Sequence, residues 1–452
     1  MQVYDNGNET ISNWSGKDLS LDYQRNFKSN TEKLLTLSYR LNNSGSEGTT
    51  EISLIPLLNY YNRQSNTYNT NYFKETTLQI DYVQPLFGHL LETGVKNIYR
   101  KSNSNFDYNN WDTITNLYIK DELLSNEFNY NQQVAAGYVS YNFKKENWSV
   151  ATGARLEATA INANFKSSGT NAAQRYLNVI PNIAFMYSMG KAGSVNASYT
   201  QRIERPSLFY LDPFIDISDP RNIYYGNPNL LPATSHSFQV NYFTYINSTS
   251  ISAGLFHYLT SNSIERYTGL TTDSVAFTTY GNIGRNKTYG FTLSGNTTLF
   301  KQLSLSLNGS GNYIRYQQSK SALQVNEGFT FDAFAFAGWR MSNGIRLNGS
   351  LNYQSGTVQL QGSRSGYITN SLSISKAFLQ SKKLTATLSF VNPFEKERRI
   401  FTSVNAQTFT QYQESRTIIR RISLALYYRF GKLTEDIKRK KRGIKNDDLK
   451  NN

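Results

Sequence analysis

Apolar and polar residues alternate with a period of two along most of this chain. The clearest case comes last: in RISLALYYRF, Ile422, Leu424, Leu426, Tyr428 and Phe430 share one face, and Arg421, Ser423, Ala425, Tyr427 and Arg429 share the other. In NWSVATGARLEA, Trp148, Val150, Thr152, Ala154 and Leu156 oppose Ser149, Ala151, Gly153, Arg155 and Glu157. GIRLNGSLNY repeats the pattern with Ile345, Leu347 and Leu351, and KQLSLSLNGSGNY with Leu303, Leu305 and Leu307. A period of two is that of β-strands. The second face of these strands is small or polar.

The connections sort the strands into hairpins. Short turns at 144–147, 189–194, 246–250, 300–302, 341–344 and 379–383 alternate with long polar loops near 102–129, 158–175, 203–234, 260–284, 316–328 and 393–415. Short turns at one end of the strands and long loops at the other is the arrangement of outer-membrane barrels. Hairpins near 17–43 and 72–101, six more between 130 and 392, and a final unpaired strand predict about seventeen strands. The first and last of these run in the same direction. A closed barrel has an even number of strands, so at least one strand is expected to be missing before residue 17.

A soluble sandwich also alternates, but small and polar residues on the second face suit a wet or plugged lumen better than a dry core. Tyr141, Phe143 and Trp148 flank one short turn, Phe300 lies in another, and Tyr428 and Phe430 close the last strand. Such residues form interfacial girdles. The predicted fold is all-β: a transmembrane antiparallel up-and-down β-barrel of the outer-membrane type, incomplete at its N-terminal edge. Residues 1–431 are expected to form the barrel, and 432–452 a basic periplasmic tail.

Composition agrees. The chain has 452 residues, 33 of them Tyr and 26 Phe, and only 17% are charged, which favours strands over helices. There is no cysteine, which excludes disulfides and thiolate chemistry. No run of about 18 apolar residues predicts a membrane helix. The start MQVYDNGNETISNWSG has no basic segment followed by an apolar one, so no signal peptide is visible: either the protein is cytoplasmic or its natural beginning lies upstream. The net charge is +15, of which the tail contributes +4 from eight Lys or Arg and four Asp or Glu. Charge this dispersed is not the footprint of a nucleic-acid surface.

Five of the nine prolines, Pro206, Pro213, Pro220, Pro228 and Pro232, fall between two alternating strands. Proline is excluded from central strands, so the segment between them is expected to be an extracellular excursion with fixed turns. Here RPSLFYLDPF followed by YYGNPNLLPATSHSFQVNY closely resembles the R-x-x-RPS, NPF and GNPxLKPE segment of TonB-dependent outer-membrane receptors. YGNIGRNKTYGFTLSGN, FVNPFEKERRIF and SLALYYRFGK are similar to further segments of that family in the same order, and the tail with RGIKNDDL to its receptor-like barrel branch. Leu231 and Ala233 stand where the family has Lys and Glu, and Phe430 is not C-terminal.

The resemblance implies a barrel that takes up a scarce nutrient of siderophore, glycan or peptide class. Its partners would be outer-membrane lipid, an extracellular nutrient ligand and, in the intact protein, a plug domain and the TonB complex. The chain contains neither plug nor TonB box, so the barrel portion of a longer receptor is expected. The alternative is a plugless channel or surface adhesin without active transport.

Candidate chemistry is sparse. His89, His236 and His257 have no metal-ligand spacing, and no GxSxG or P-loop is present, so neither catalysis nor a cofactor is expected. Asp212, Asp216 and Asp219 share one loop; they are expected to be solvated or paired with Arg205 and Arg221 rather than to ligate Ca²⁺. Ligand contacts are expected from Arg205, Phe209, Tyr210, Asp212, Phe214, Tyr224, Tyr225 and Asn227 of the proline-rich loop. Arg155, Arg202 and Arg429 are expected to face the lumen, where they would meet a plug, an anionic ligand or carboxylates such as Glu157.

Overall fold

The computed structural model describes residues 3–28, 30–59, 61–217, 221–318, 325–379, 383–406, 408–430, 444 and 446. Its main sheet contains 19 strands. Two are short additions: Leu117–Lys120 pairs with the end of His89–Asp112, and Asn222–Tyr224 lies parallel against Ala276–Leu299. The other seventeen form one antiparallel up-and-down wall, each strand paired with the next along the chain, from Val3–Phe27 to Arg421–Tyr428. Among the described residues no ladder joins the first of these strands to the last, so the wall is open along that seam.

The wall is dressed inside out relative to a soluble protein. Leu78, Ile80, Val95, Leu156, Val179, Leu255, Leu293 and Leu307 are all exposed, on the outer face. Thr77, Asp81, Arg100, Gln132, Glu157 and Thr159 are buried on the inner one. Register sets this up residue by residue: Leu156 lies beside Val179 and its successor Glu157 beside Asn178, so successive positions alternate between outside and inside. A polar inner face is affordable only when its groups find partners. Arg100 bonds Glu75 Oε2 at 2.6 Å and Gln132 Oε1 at 2.8 Å; Tyr138 donates to Asp81.

At the short-turn end, His89, Phe143 and Trp148 stack in sequence, with centroids 4.1 and 5.0 Å apart, and Phe87, Phe300 and Phe430 stand exposed. The turn after Arg63–Leu86 is Phe87–Gly88, with both φ positive at 53° and 78°. That is the signature of a tight type I′ hairpin, whose twist matches its strands.

The strands run well beyond the alternating apolar stretches. The segments expected to be loops near 102–129, 158–175 and 260–284 are largely strand: His89–Asp112, Asn126–Lys145, Trp148–Phe165, Thr170–Ser188, Thr249–Leu270 and Ala276–Leu299. A strand of 22 residues such as Thr249–Leu270 spans about 70 Å, far more than the roughly 25 Å apolar band of an outer-membrane barrel. Above that band nothing requires an apolar outer face, and the strands continue in Asn, Ser, Thr and Tyr, which sequence pattern alone cannot tell from loop. Residues 3–16, ahead of the first hairpin expected near 17–43, likewise form the first half of Val3–Phe27, paired with Ser44–Leu58. Of the expected tail, only Ile444 and Asn446 lie among the described residues. Asn446 Nδ2 donates to Glu75 Oε1 at 2.7 Å and Thr77 Oγ1 at 2.9 Å on the inner wall.

At the long-loop end a separate sheet of four strands, Thr357–Gln359, Gly362–Arg364, Glu397–Asn405 and Thr410–Ile418, rises from two of the connections. Together with the proline-rich loop it roofs the barrel mouth.

Candidate functional site

The proline-rich loop folds into the mouth. At this level the inner wall turns apolar: Phe128, Tyr130, Ile161, Ala163 and Phe165 face inward, and Tyr210, Leu211 and Leu230 of the loop pack on them together with Ile264. Leu230 is 0% exposed and Leu211 1%.

Local chemistry shapes the loop. Ser207 opens a one-turn helix, Leu208–Leu211, which Asp212 N closes on Leu208 O. The returning chain then crosses it, Gly226 N bonding Asp212 O at 2.7 Å and Asn227 N bonding Tyr210 O at 2.6 Å. This close crossing explains the glycine of YYGNP: a Cβ at position 226 would lie 2.5 Å from Asp212 O and 2.6 Å from Tyr210 O. Asn227 Nδ2 donates to Tyr280 O, and Asn282 exchanges two bonds with the Leu231 backbone. Two polar clasps tie the loop to the wall. Arg205, 0% exposed, bonds Glu157 Oε2 at 2.5 Å and Thr159 Oγ1 at 3.0 Å, and Asn126 Nδ2 donates to both Asp212 oxygens at 3.1 Å.

Burial without a cation raises the Asp212 carboxyl above the ordinary carboxylate range, against the lowering effect of its donors Phe214 N and Asn126. Burial, with Tyr280 and Glu265 nearby, pushes Tyr210 up to about 12. Burial also raises Tyr224 and Tyr225.

The eight residues expected to contact ligand therefore divide. Arg205, Tyr210, Asp212 and Asn227 are engaged in holding the loop; Phe214 packs on Phe106 and Tyr225 stacks on Phe277. Phe209, half exposed, stacks on Tyr224 at 5.0 Å, and Tyr224 borders an open cleft. Of the residues in the expected pairing of loop aspartates with Arg205 and Arg221, Arg205 reaches Glu157, Asp212 reaches Asn126, and Asp216 pairs through its backbone with Tyr224. Asp219 and Pro220 lie outside the described residues. Among the described residues no cluster of three or more His, Asp or Glu is placed to hold a metal. Arg155 bonds Glu157 Oε1 at 2.5 Å and, with Arg202 and Arg205, borders an inner-wall cavity of about 230 Å³. Arg429 stands apart from them, exposed just past the last strand.

A cleft of about 760 Å³ lies between Asn222–Tyr224 and the separate sheet. Tyr224, Tyr316 and Tyr412 border it with Arg266, Arg364 and Gln413. Its two sides are fastened to each other. Gln361 accepts from Thr268 N at 2.6 Å and donates to Thr268 O at 3.2 Å, and Gln411 Nε2 donates to Asn222 Oδ1 at 3.1 Å. A second cavity of about 550 Å³ shares Leu360 and Gln361. Sequence reading missed the far side of the cleft because it took 393–415 for loop. ERRIFTSVN places Ile400, Thr402 and Val404 on one face, but TQYQESRTI carries no apolar alternation that would mark it as a strand.

A strand wall apolar outside and polar inside, short turns at one end and a folded mouth at the other, defines an outer-membrane β-barrel. The chain belongs to the outer membrane protein beta-barrel family, whose model matches residues 25–428. Solved structures share this fold at low identity. The ferric-catecholate import receptor Fiu from Escherichia coli K12 is 10% identical at a TM-score of 0.64 over 93% of this chain and 64% of its own. The ferripyoverdine receptor of the Pseudomonas aeruginosa outer membrane is 13% identical at 0.61 over 92% and 56%. The FrpB iron transporter from Neisseria meningitidis is 12% identical at 0.56 over 92% and 73%. The chain thus spans between 56% and 73% of the length of these proteins, and it shares their barrel fold. No curated protein matches the sequence.

Proposed function

We propose that this chain is the barrel of a nutrient-uptake receptor: its mouth captures a scarce solute, and a plug in the intact protein, driven by TonB, admits it. The observation that carries this reading is the mouth itself. The proline-rich loop packs on the inner wall at the mouth and is clasped to it, which favours an energised rearrangement over free diffusion. The neighbours with this fold are named as importers or receptors of iron complexes, which supports uptake as the class of activity. A passive channel would need an unobstructed mouth, and the core of Tyr210, Leu211 and Leu230 against Phe165 opposes that.

The test is uptake in the native host with the gene intact, deleted, or present without TonB. Uptake of one limiting nutrient that is lost in both mutants is expected. Uptake that persists without TonB would replace this reading with a passive channel, and wild-type uptake of every nutrient in the deletion strain would leave an adhesin.

A further inference from the structure

We propose that the cleft between Asn222–Tyr224 and the four-stranded outer sheet binds an uncharged oligosaccharide, an inference that rests on the uptake reading and names its solute class. Nineteen residues line this cleft. Five carry carboxamides and four carry aliphatic hydroxyls, while only Glu265, Arg266 and Arg364 are charged. Carboxamides and hydroxyls both donate and accept, as sugar hydroxyls do, so each can meet a sugar hydroxyl in either role. A multiply anionic metal chelate calls for clustered cations. Here two arginines share the cleft with a carboxylate, whose Oε1 already accepts from Ser263 and Asn286.

Tyrosine completes the argument. Tyr224, Tyr316 and Tyr412 border one space; Tyr224 is stacked on Phe209 with its phenol oxygen buried, Tyr316 is half-buried, and Tyr412 is 80% exposed. A flat aromatic face such as that of Tyr412 packs on the apolar C–H face of a pyranose ring while its phenol stays hydrated. The cleft is also pre-organised. Gln361 is fixed at both ends of its carboxamide by the Thr268 backbone, and Gln411 is tied to Asn222. Little ordering then remains on binding. At about 760 Å³ the space lies in the usual range for a ligand site, enough for several sugar rings.

The experiment is titration calorimetry on the full chain in a detergent without a sugar headgroup. The probes are maltohexaose, cellohexaose, xylohexaose, mannohexaose and laminarihexaose; ferric citrate and a ferric tris-catecholate; and a tryptic casein digest. Binding of at least one hexaose is expected, with about tenfold loss in each of Tyr412→Ala and Gln413→Ala. Both side chains are exposed, so these variants should fold, which is checked by heat-modifiable migration on gels. Binding of a chelate or of peptides in place of the sugars, with loss in the same variants, would keep the capture site and overturn its solute class. No binding by any hexaose, or hexaose binding unchanged in both variants, overturns the proposal. TonB-independent uptake of a sugar that binds here would sink the uptake reading alone.

Discussion

Two folded units stand at the mouth of this barrel, and they use opposite physics. The proline-rich loop between Glu204 and Ala233 sits on an apolar bed, with Leu211 and Leu230 buried and Arg205 sealed beneath it. The outer sheet, from Thr357 to Ile418, exposes Phe401, Tyr412 and Ile418 and is held by strand pairing and a few carboxamide bonds. One is built like a domain core docked on the inner wall; the other is built like an exposed surface. The difference suits the roles proposed above, rearrangement for the first and solute binding for the second.

The comparison breaks most visibly at Arg205. Arg205→Ala should leave Glu157 buried with Arg155 as its remaining ion-pair partner, at a cost of about 4 kcal/mol to docking of the loop. Hydrogen exchange should then show the Leu208–Leu211 amides opening while the Trp148–Phe165 ladder stays protected. If wall and loop lose protection together, the loop is not a separate unit. Arg205→Lys should recover only part of the loss, because both bonds come from Nη2 at the tip of the guanidinium, farther out than the ammonium of the shorter lysine.

Next comes the apolar bed. Leu230→Ala removes a fully buried side chain and should weaken docking by about 3 kcal/mol, read as faster protease nicking between residues 208 and 230 in folded protein. Binding in the outer cleft should change far less. Asn126→Ala is smaller still, about 1 kcal/mol by the same nicking assay, since it removes one side chain's bonds to Asp212 and leaves the Phe214 backbone donor in place.

Much of this was legible in the sequence because lipid and water impose opposite rules on alternate residues. RISLALYYRF and NWSVATGARLEA announced their faces, and the hairpin count came from turn spacing. What was not legible lay above the membrane. There, polar strands such as the upper half of Thr249–Leu270 carry no period of their own, and the loop's clasps join residues as distant as Glu157 and Arg205. The sequence pointed to the proline-rich loop as important, but its conspicuous aromatics and charges mostly hold it in place. The exposed cleft is made by inconspicuous Gln, Thr and Tyr residues from three connections and three wall strands, and no local pattern brings those together.

The finest probe of the difference is pH. Asp212 is buried with neutral donors, so its carboxyl titrates above its ordinary value near 3.9. In the window between that value and the raised one, the docked loop holds more protons than the opened loop. Stability therefore falls as pH rises through the window, and is flat below and above it. Docking of the proline-rich loop should be strongest in mild acid and weaker at neutral pH, by less than the Asn126→Ala effect. Opening free energies from hydrogen exchange, corrected for the intrinsic rate at each pH, should show this slope at Leu208–Leu211 and none in the outer sheet around Thr410–Ile418. Asp212→Asn keeps an acceptor for Phe214 N and cannot ionise, so it should abolish the slope. A slope that survives in this variant would place the titrating group elsewhere, and a slope of opposite sign would mean that ionised Asp212 is stabilised in the docked loop.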